Sequence, residues 1–407
     1  MRPVYLLGAG AIILVAGCAA PTASSAPRSP APSAPPMPSS SPSNAVHPTT
    51  FAIPANVPTY RGNVARSGAM PDPGPVADAS VRWVLHLDGP IGSSPVVADG
   101  VVYVAVNSGS LYALDLATGR QRWLAHASTS PLSTPHIVDG AVLVGTEDNG
   151  LRAFDAKTGE ERWSVAADGA VSGAPADADG TVVFATGAGS VVAIDAATRT
   201  VRWMASAGAP IYSSLAIAAG MIVVGTNDAS VVAFELADGS TRWTTKVSDV
   251  GRVGTPAIDQ GRVFVSTGLD AGGPPSHHIV ALDAGSGAIL WRYASPEGAA
   301  VYTPALSGGR AFVTSEDGSV VALDIETGKI AWTAIVDGKV EGVPAVAGTV
   351  VYAASNAGSA FAIDASTGRE LWRTAIRGIP YGPTVAGGLV LVGTDLGELD
   401  AIGGTLP

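Results

Sequence analysis

From residue 80 onward, short apolar runs alternate with short polar breaks, and the breaks carry turn chemistry. One unit reads Pro95-Val-Val-Ala-Asp-Gly100, Val101-Val-Tyr-Val-Ala-Val106, Ser110-Leu-Tyr-Ala-Leu-Asp115 and Arg120-Gln-Arg-Trp-Leu124. Each run is too short for a helix and is rich in Val, Tyr and Leu. Asp-Gly, Asn-Ser-Gly and Ala-Thr-Gly separate the runs, so the unit reads as four short strands.

The unit recurs. The tryptophans are Trp83, Trp123, Trp163, Trp203, Trp243, Trp291, Trp332 and Trp372, in steps of 40, 40, 40, 40, 48, 41 and 40. A second series runs Pro95, Pro135, Pro175, Leu215, Pro256, Pro304, Pro344 and Pro383. Periods of this length indicate solenoids, propellers or arrays, and four strands per repeat of about 40 residues is the make-up of a propeller blade. Residues preceding the Pro series are mostly small (Ser93-Ser94, Gly173-Ala174, Gly254-Thr255), which suits an innermost strand crowding an axis.

The turn before each tryptophan has its own logic, as in Asp115-Leu-Ala-Thr-Gly119 and Asp364-Ala-Ser-Thr-Gly368. The Asp side chain accepts backbone N–H groups, and Gly supplies the left-handed exit. The indole four residues later lies on the outermost strand, where it can pack on the next blade with its N–H seeking a backbone partner. All eight tryptophans are read as structural repeat residues of this kind. Arg199 replaces the Gly in one unit and Glu235 the Asp in another, so those turns are expected to be looser.

Eight Pro-type positions give eight inner strands, but Trp83 precedes the first and none follows the last. Val81–Leu85 is therefore read as the missing outer strand of the last blade. The expected fold is an all-β, eight-bladed propeller over 81–402, with four-stranded blades and a last blade closed by the N-terminal strand. An open solenoid, which leaves strand edges bare, is the alternative.

The first fifty residues differ. Met1-Arg2 and the apolar run Val4–Ala16 read as an export signal over 1–17, because 13 apolar residues fall short of the roughly 20 that span a membrane. Val15-Ala16-Gly17-Cys18 resembles a lipobox, with Cys18 as the lipidation site; an ordinary secretory signal is the alternative. Lipidation would anchor the chain on the extracytoplasmic side of a membrane. Ala19–Thr50 holds nine prolines among 32 residues and cannot bury a core, so 18–50 reads as a tether and 51–80 as a lead-in.

Composition narrows the chemistry. A single Cys excludes disulfide frameworks and Cys-rich metal sites, and a net charge of −11 argues against nucleic acid.

The unit Ala-Leu-Asp-x-x-Thr-Gly-x-x-x-Trp resembles the repeat of pyrroloquinoline-quinone (PQQ)-type β-propellers, a group holding quinoprotein alcohol dehydrogenases and BamB-like bacterial lipoproteins. Tyr60-Arg-Gly-Asn-Val-Ala-Arg-Ser-Gly68 is similar to the segment before the first blade in that group. The resemblance implies the fold, whereas the tryptophan repeat serves enzymes and scaffolds alike. Family dehydrogenases hold a quinone with Ca²⁺, an acidic base and, in many, a ring of adjacent cysteines. This chain lacks adjacent cysteines and the long insertions that build those active sites. Calcium needs six to eight oxygen ligands, and the acidic groups in Asp177-Ala-Asp179-Gly180 and Glu147-Asp148-Asn149-Gly150 are placed at hairpin turns, where such residues are expected anyway. No Ser–His–Asp order, phosphate loop or Cys/His cluster can be assembled. The expectation is no cofactor, neither PQQ nor Ca²⁺, and no catalysis.

Candidate binding residues lie in the blade-joining loops, namely Tyr212, Arg252, Tyr302, Glu341 and Tyr381. The single long insertion, Gly268–His278, adds His277 and His278. Tyr and Arg are enriched at binding hot spots, although the same residues could merely pave a funnel mouth. The reading is a monomeric, lipid-anchored scaffold that binds envelope proteins or a ligand on one propeller face. A quinone-dependent dehydrogenase and an extracytoplasmic ligand sensor are the alternatives. Ala19 is not the Asp that retains some lipoproteins at the inner membrane, so which membrane is left open.

Overall fold

The computed structural model describes residues 56–148, 150–268 and 277–407. Its strands form eight four-stranded antiparallel sheets arranged as the blades of a propeller. Blade 1 comprises Val96–Ala98, Val101–Ala105, Ser110–Asp115 and Gln121–His126, from the axis outward. Every inner strand starts directly after a member of the Pro series, from Val96 after Pro95 to Thr384 after Pro383. A proline carries no N–H to leave unpaired and fixes the entry angle of the chain.

Blade 8 takes its outer strand from the other end of the sequence. Ala77–His86 pairs with Glu398–Thr405, from Ala77 opposite Thr405 to His86 opposite Glu398. Closure is as expected, but the strand pair runs beyond 81–402 at both ends. An open solenoid is excluded, because both incomplete ends of the array are consumed in one sheet.

The tryptophans lock blade to blade. Seven of the eight indoles donate to a backbone carbonyl of the next blade's turn region or the lead-in, as Trp123 Nε1 does to Ala156 O at 3.0 Å. The longer step between Trp243 and Trp291 does not break the pattern. Trp243 Nε1 reaches Ala284 O at 2.9 Å and Trp291 Nε1 reaches Ile325 O at 3.0 Å. The two differ in cover, because Trp243 is buried and Trp291 is half-buried. Trp83 donates to Leu116 O and carries the lock across the closing seam. Trp372 faces blade 8, which has no such turn, and donates instead to Pro75 O at 2.7 Å. Trp163 departs from the expectation and makes no such bond among the described residues.

The turns under the indoles have the expected Asx geometry, with Asp155 Oδ1 accepting from the N–H groups of Lys157 and Thr158. Arg162 adds an ion pair, and together these contacts hold the Asp155 carboxyl down to about 2. The expectation of looser turns at Arg199 and Glu235 is not met. Arg199 N–H closes on Asp195 O at 2.8 Å and Gly239 N–H on Glu235 O at 2.9 Å, as Gly119 N–H does on Asp115 O at 2.8 Å. Arg199 adopts the left-handed conformation itself, with φ +62°. The backbone bond fixes the turn, so the substitutions alter strain and side-chain contacts rather than the path of the chain.

Candidate functional site

The propeller has two ends. At one, the blade-joining loops bond to the second-to-third-strand turns, as in Asn107 N–H to Pro90 O and Asp395 N–H to Ile379 O. At the other, the remaining hairpin turns meet, as in Leu116 N–H to Gly100 O. We call these the funnel end and the turn end.

The lead-in segment fills the axis between them. Inner strands are edges, with a row of N–H and C=O groups facing the channel that must find partners. Asn56 Oδ1 accepts from Asp99 N–H at the turn end, and Val57 bridges Val97 antiparallel. The chain therefore climbs the channel and reaches the funnel end at Tyr60. It descends with Ala69 parallel to Val346, and Asp72 accepts from Gly387 N–H back at the turn end. Along this hairpin Val57, Pro58, Val64, Ala65, Ser67 and Gly68 offer carbonyls to the N–H groups of Val97, Ile137, Ile217, Ile258, Leu306 and Val346. Six of the eight inner strands are satisfied in this way.

Two arginines at the hairpin tip complete the plug. Arg66 is fully buried and donates to Leu215 O at 2.9 Å, Pro175 O at 2.7 Å and Thr59 Oγ1 at 2.5 Å, with a further bond to Ala174 O. Arg61 donates to Arg66 O, Thr303 O and Pro304 O. Only a guanidinium carries enough donors in one plane to serve several carbonyls at once. Burial pulls both pKa values down, that of Arg66 to about 9, so Arg66 stays charged at neutral pH. The segment expected to be a mere lead-in is thus an integral part of the ring. Its signal in the sequence is Arg61-Gly62 and Arg66-Ser67-Gly68, but its partners are backbone carbonyls, which leave no trace in side-chain patterns.

Above the plug lies a pocket of about 200 Å³ bounded by Tyr60, Tyr212, Arg252, Thr255, Ser266 and Tyr302. Three of the expected residues, Tyr212, Arg252 and Tyr302, meet here. Tyr60 joins them from the lead-in, and sequence reasoning missed it. Beside the pocket, Tyr302 Oη donates to Glu316 Oε1 at 3.2 Å, and Lys339 Nζ pairs with Glu316 Oε2 at 3.1 Å. Burial, then the Glu316 charge, pushes the Tyr302 pKa up. Glu341 accepts from Asn356 Nδ2 at 3.2 Å, and Tyr381 is raised by burial and by Asp395. Glu316 and Lys339 were not singled out, because a Glu in a Ser-Glu-Asp-Gly turn looks like ordinary turn chemistry.

The two histidines separate. His278 opens the strand His278–Asp283, whereas His277 precedes it, with Nδ1 buried and unpartnered and its pKa lowered by burial. Residues 269–276 of the insertion lie outside the described residues, as do Asn149 and Cys18. Asp177 is not in a turn. It sits in the inner strand Ala176–Ala178, 2.7 Å from Nε2 of buried His136, whose pKa burial lowers.

Four overlapping stretches, 75–178, 167–274, 248–344 and 275–404, match the family described as outer membrane protein assembly factor BamB. The chain belongs to the BamB family. No curated protein sequence matches it. The BamB crystal structure from Moraxella catarrhalis is 19% identical, with TM-score 0.65 over 80% of this chain and 99% of that one. Quinohemoprotein alcohol dehydrogenase from Comamonas testosteroni is 16% identical, with TM-score 0.69 over 89% and 83%. The designed protein Ika8 is also 16% identical, at TM-score 0.69 over 78% and 98%. At such identities the structural likeness speaks for the fold alone.

Proposed function

We propose that this chain is an extracytoplasmic lipoprotein, anchored through Cys18, whose propeller is a non-catalytic binding and assembly scaffold of the cell envelope. One observation carries the reading. The plug fills the channel up to Tyr60, so the funnel end offers a shallow mouth of tyrosines and Arg252 rather than a deep enclosed chamber. Aromatic and Arg side chains around a shallow depression are the composition of a protein-docking hot spot. Tyr212, Arg252, Tyr302, Glu341 and Tyr381 form the contact set in this reading, with His277 and His278 at its margin. The family's description as an outer membrane assembly factor agrees with it.

A quinone with its calcium fits this mouth poorly. Glu316 and Glu341 are already bonded to Tyr302, Lys339 and Asn356, and no cluster of three His, Cys, Asp or Glu suited to a metal occurs among the described residues. Among those residues no helix is long and apolar enough to cross a membrane, and the anchor in this reading is a lipid on Cys18. Simultaneous Ala substitution of Tyr212, Arg252, Tyr302, Glu341 and Tyr381 should abolish co-purification of an envelope partner without unfolding the ring. Unchanged co-purification would refute the reading, as would quinone- and calcium-dependent dye reduction.

A further inference from the structure

Each blade ends in an outer strand whose far edge faces solvent. Seven of these strands carry at least one Asp, Glu, Lys or Arg, from Arg122 in blade 1 to Arg82 in blade 8. The outer strand of blade 6, Ile330–Ile335 (Ile-Ala-Trp-Thr-Ala-Ile), carries none. Its Ile330 and Ile335 are 55% and 72% exposed, and Ile335 is the most exposed large hydrophobic side chain among the described residues. The strand pairs inward with Ser319–Asp324 and is last in its sheet, so one row of its backbone N–H and C=O groups points outward.

Exposed edges are normally blunted by charge, proline or a bulge, because an unprotected edge is a template for another strand. The bulge here lies between Ala322 and Leu323, opposite the strand's first residues, at the place where other blades also have one. It leaves Trp332–Ile335 in regular register. Blade 6 alone therefore keeps the common bulge without the added charge.

We infer that this edge pairs with the same edge of a second copy of the chain. The strand is close to its own complement. Antiparallel pairing about a two-fold axis brings the Ile330 end of one copy against the Ile335 end of the other, with Trp332 and Thr333 near the centre. No charge is buried and no like charges are opposed. Pairing with any of the other seven edges would bring Arg, Lys, Asp or Glu onto the approaching strand. A lipid surface would cover the isoleucines but leave the backbone groups unsatisfied. The net charge of −11 repels copies in general, but this strand adds nothing to the repulsion. A weak symmetric dimer thereby replaces the expectation of a monomer. A pair of such short strands buries less than a standard interface, so the association is weak.

Sedimentation velocity of the full chain bearing Cys18→Ser, from about 5 to 500 µM, reads this directly. The sedimentation coefficient is expected to rise with concentration toward a dimer. Ile335→Lys should weaken association at least about tenfold at an unchanged melting temperature, and Thr333→Lys provides a second variant should the first fail to fold. Met204→Lys, on the outer strand of blade 3, should leave association intact. A concentration-independent monomer would overturn the proposal. So would a dimer indifferent to both blade 6 substitutions, or an edge that captures a foreign strand and never its own copy.

Discussion

The six-membered ring of Trp123 lies over Gly159 so closely that a Cβ on that glycine would sit 2.7 Å from Cδ2 of the indole. Gly159 also has φ +76°, so one residue meets both a conformational and a steric demand. The same relation holds between Trp203 and Gly239, Trp243 and Gly287, Trp291 and Gly328, and Trp332 and Gly368. Blade 3 departs from it, because Arg199 occupies the glycine position and Trp163 donates no backbone bond among the described residues.

Two opposite outcomes follow from that relation. Gly159→Ala adds left-handed strain and displaces the indole, so it should destabilise the ring by about 2–4 kcal/mol. Arg199→Gly removes strain at φ +62° and clears room for Trp163, so it should stabilise by about 1 kcal/mol. Denaturant melts of the two variants check both signs.

The plug predicts a second pair. Arg66→Ala leaves the carbonyls of Ala174, Pro175 and Leu215 without their donors in a buried place and should cost about 3–5 kcal/mol. Arg66→Lys should recover little of it, because an ammonium cannot span three carbonyls in one plane. Limited proteolysis should cut the segment 56–76 in both variants while sparing it in the parent chain.

A third prediction concerns pH. Asp400 is 3% exposed, and one of its carboxylate oxygens has no partner. Burial, then the neighbouring Glu398, raises its pKa from 3.8 to about 6. An acid raised by folding costs stability only where it is ionised. The cost is absent below 3.8 and complete above about 6. Asp400→Asn should therefore gain about 2 kcal/mol at pH 8 and nothing at pH 3.5. An advantage that does not change across this range would contradict the assignment.

The architecture was legible because a propeller repeats local rules. Each Pro marked an inner strand, each Trp an outer one, and the unmatched Trp83 marked the closing strand. Side-chain chemistry across the axis was not. Arg61 and Arg66 lie outside the repeat and bond to main-chain atoms brought together only by ring closure, and Tyr60 reaches the pocket from the same segment. Tyr212, Arg252 and Tyr302 were reachable because blade-joining loops must crowd one mouth. Glu316 was hidden in a turn whose composition already had an explanation. The turns at Arg199 and Glu235 were misjudged because a backbone bond, not the side chain, sets their path.

Photo-crosslinking in intact cells tests the central claim most directly. A photoreactive residue at Tyr212 or Tyr381, on the funnel end, should give a discrete adduct with an envelope protein, whereas one at Thr118, on the turn end, should not. Absence of any protein adduct at 212 and 381, or identical adducts from both ends, would contradict the account of the funnel end as a docking face.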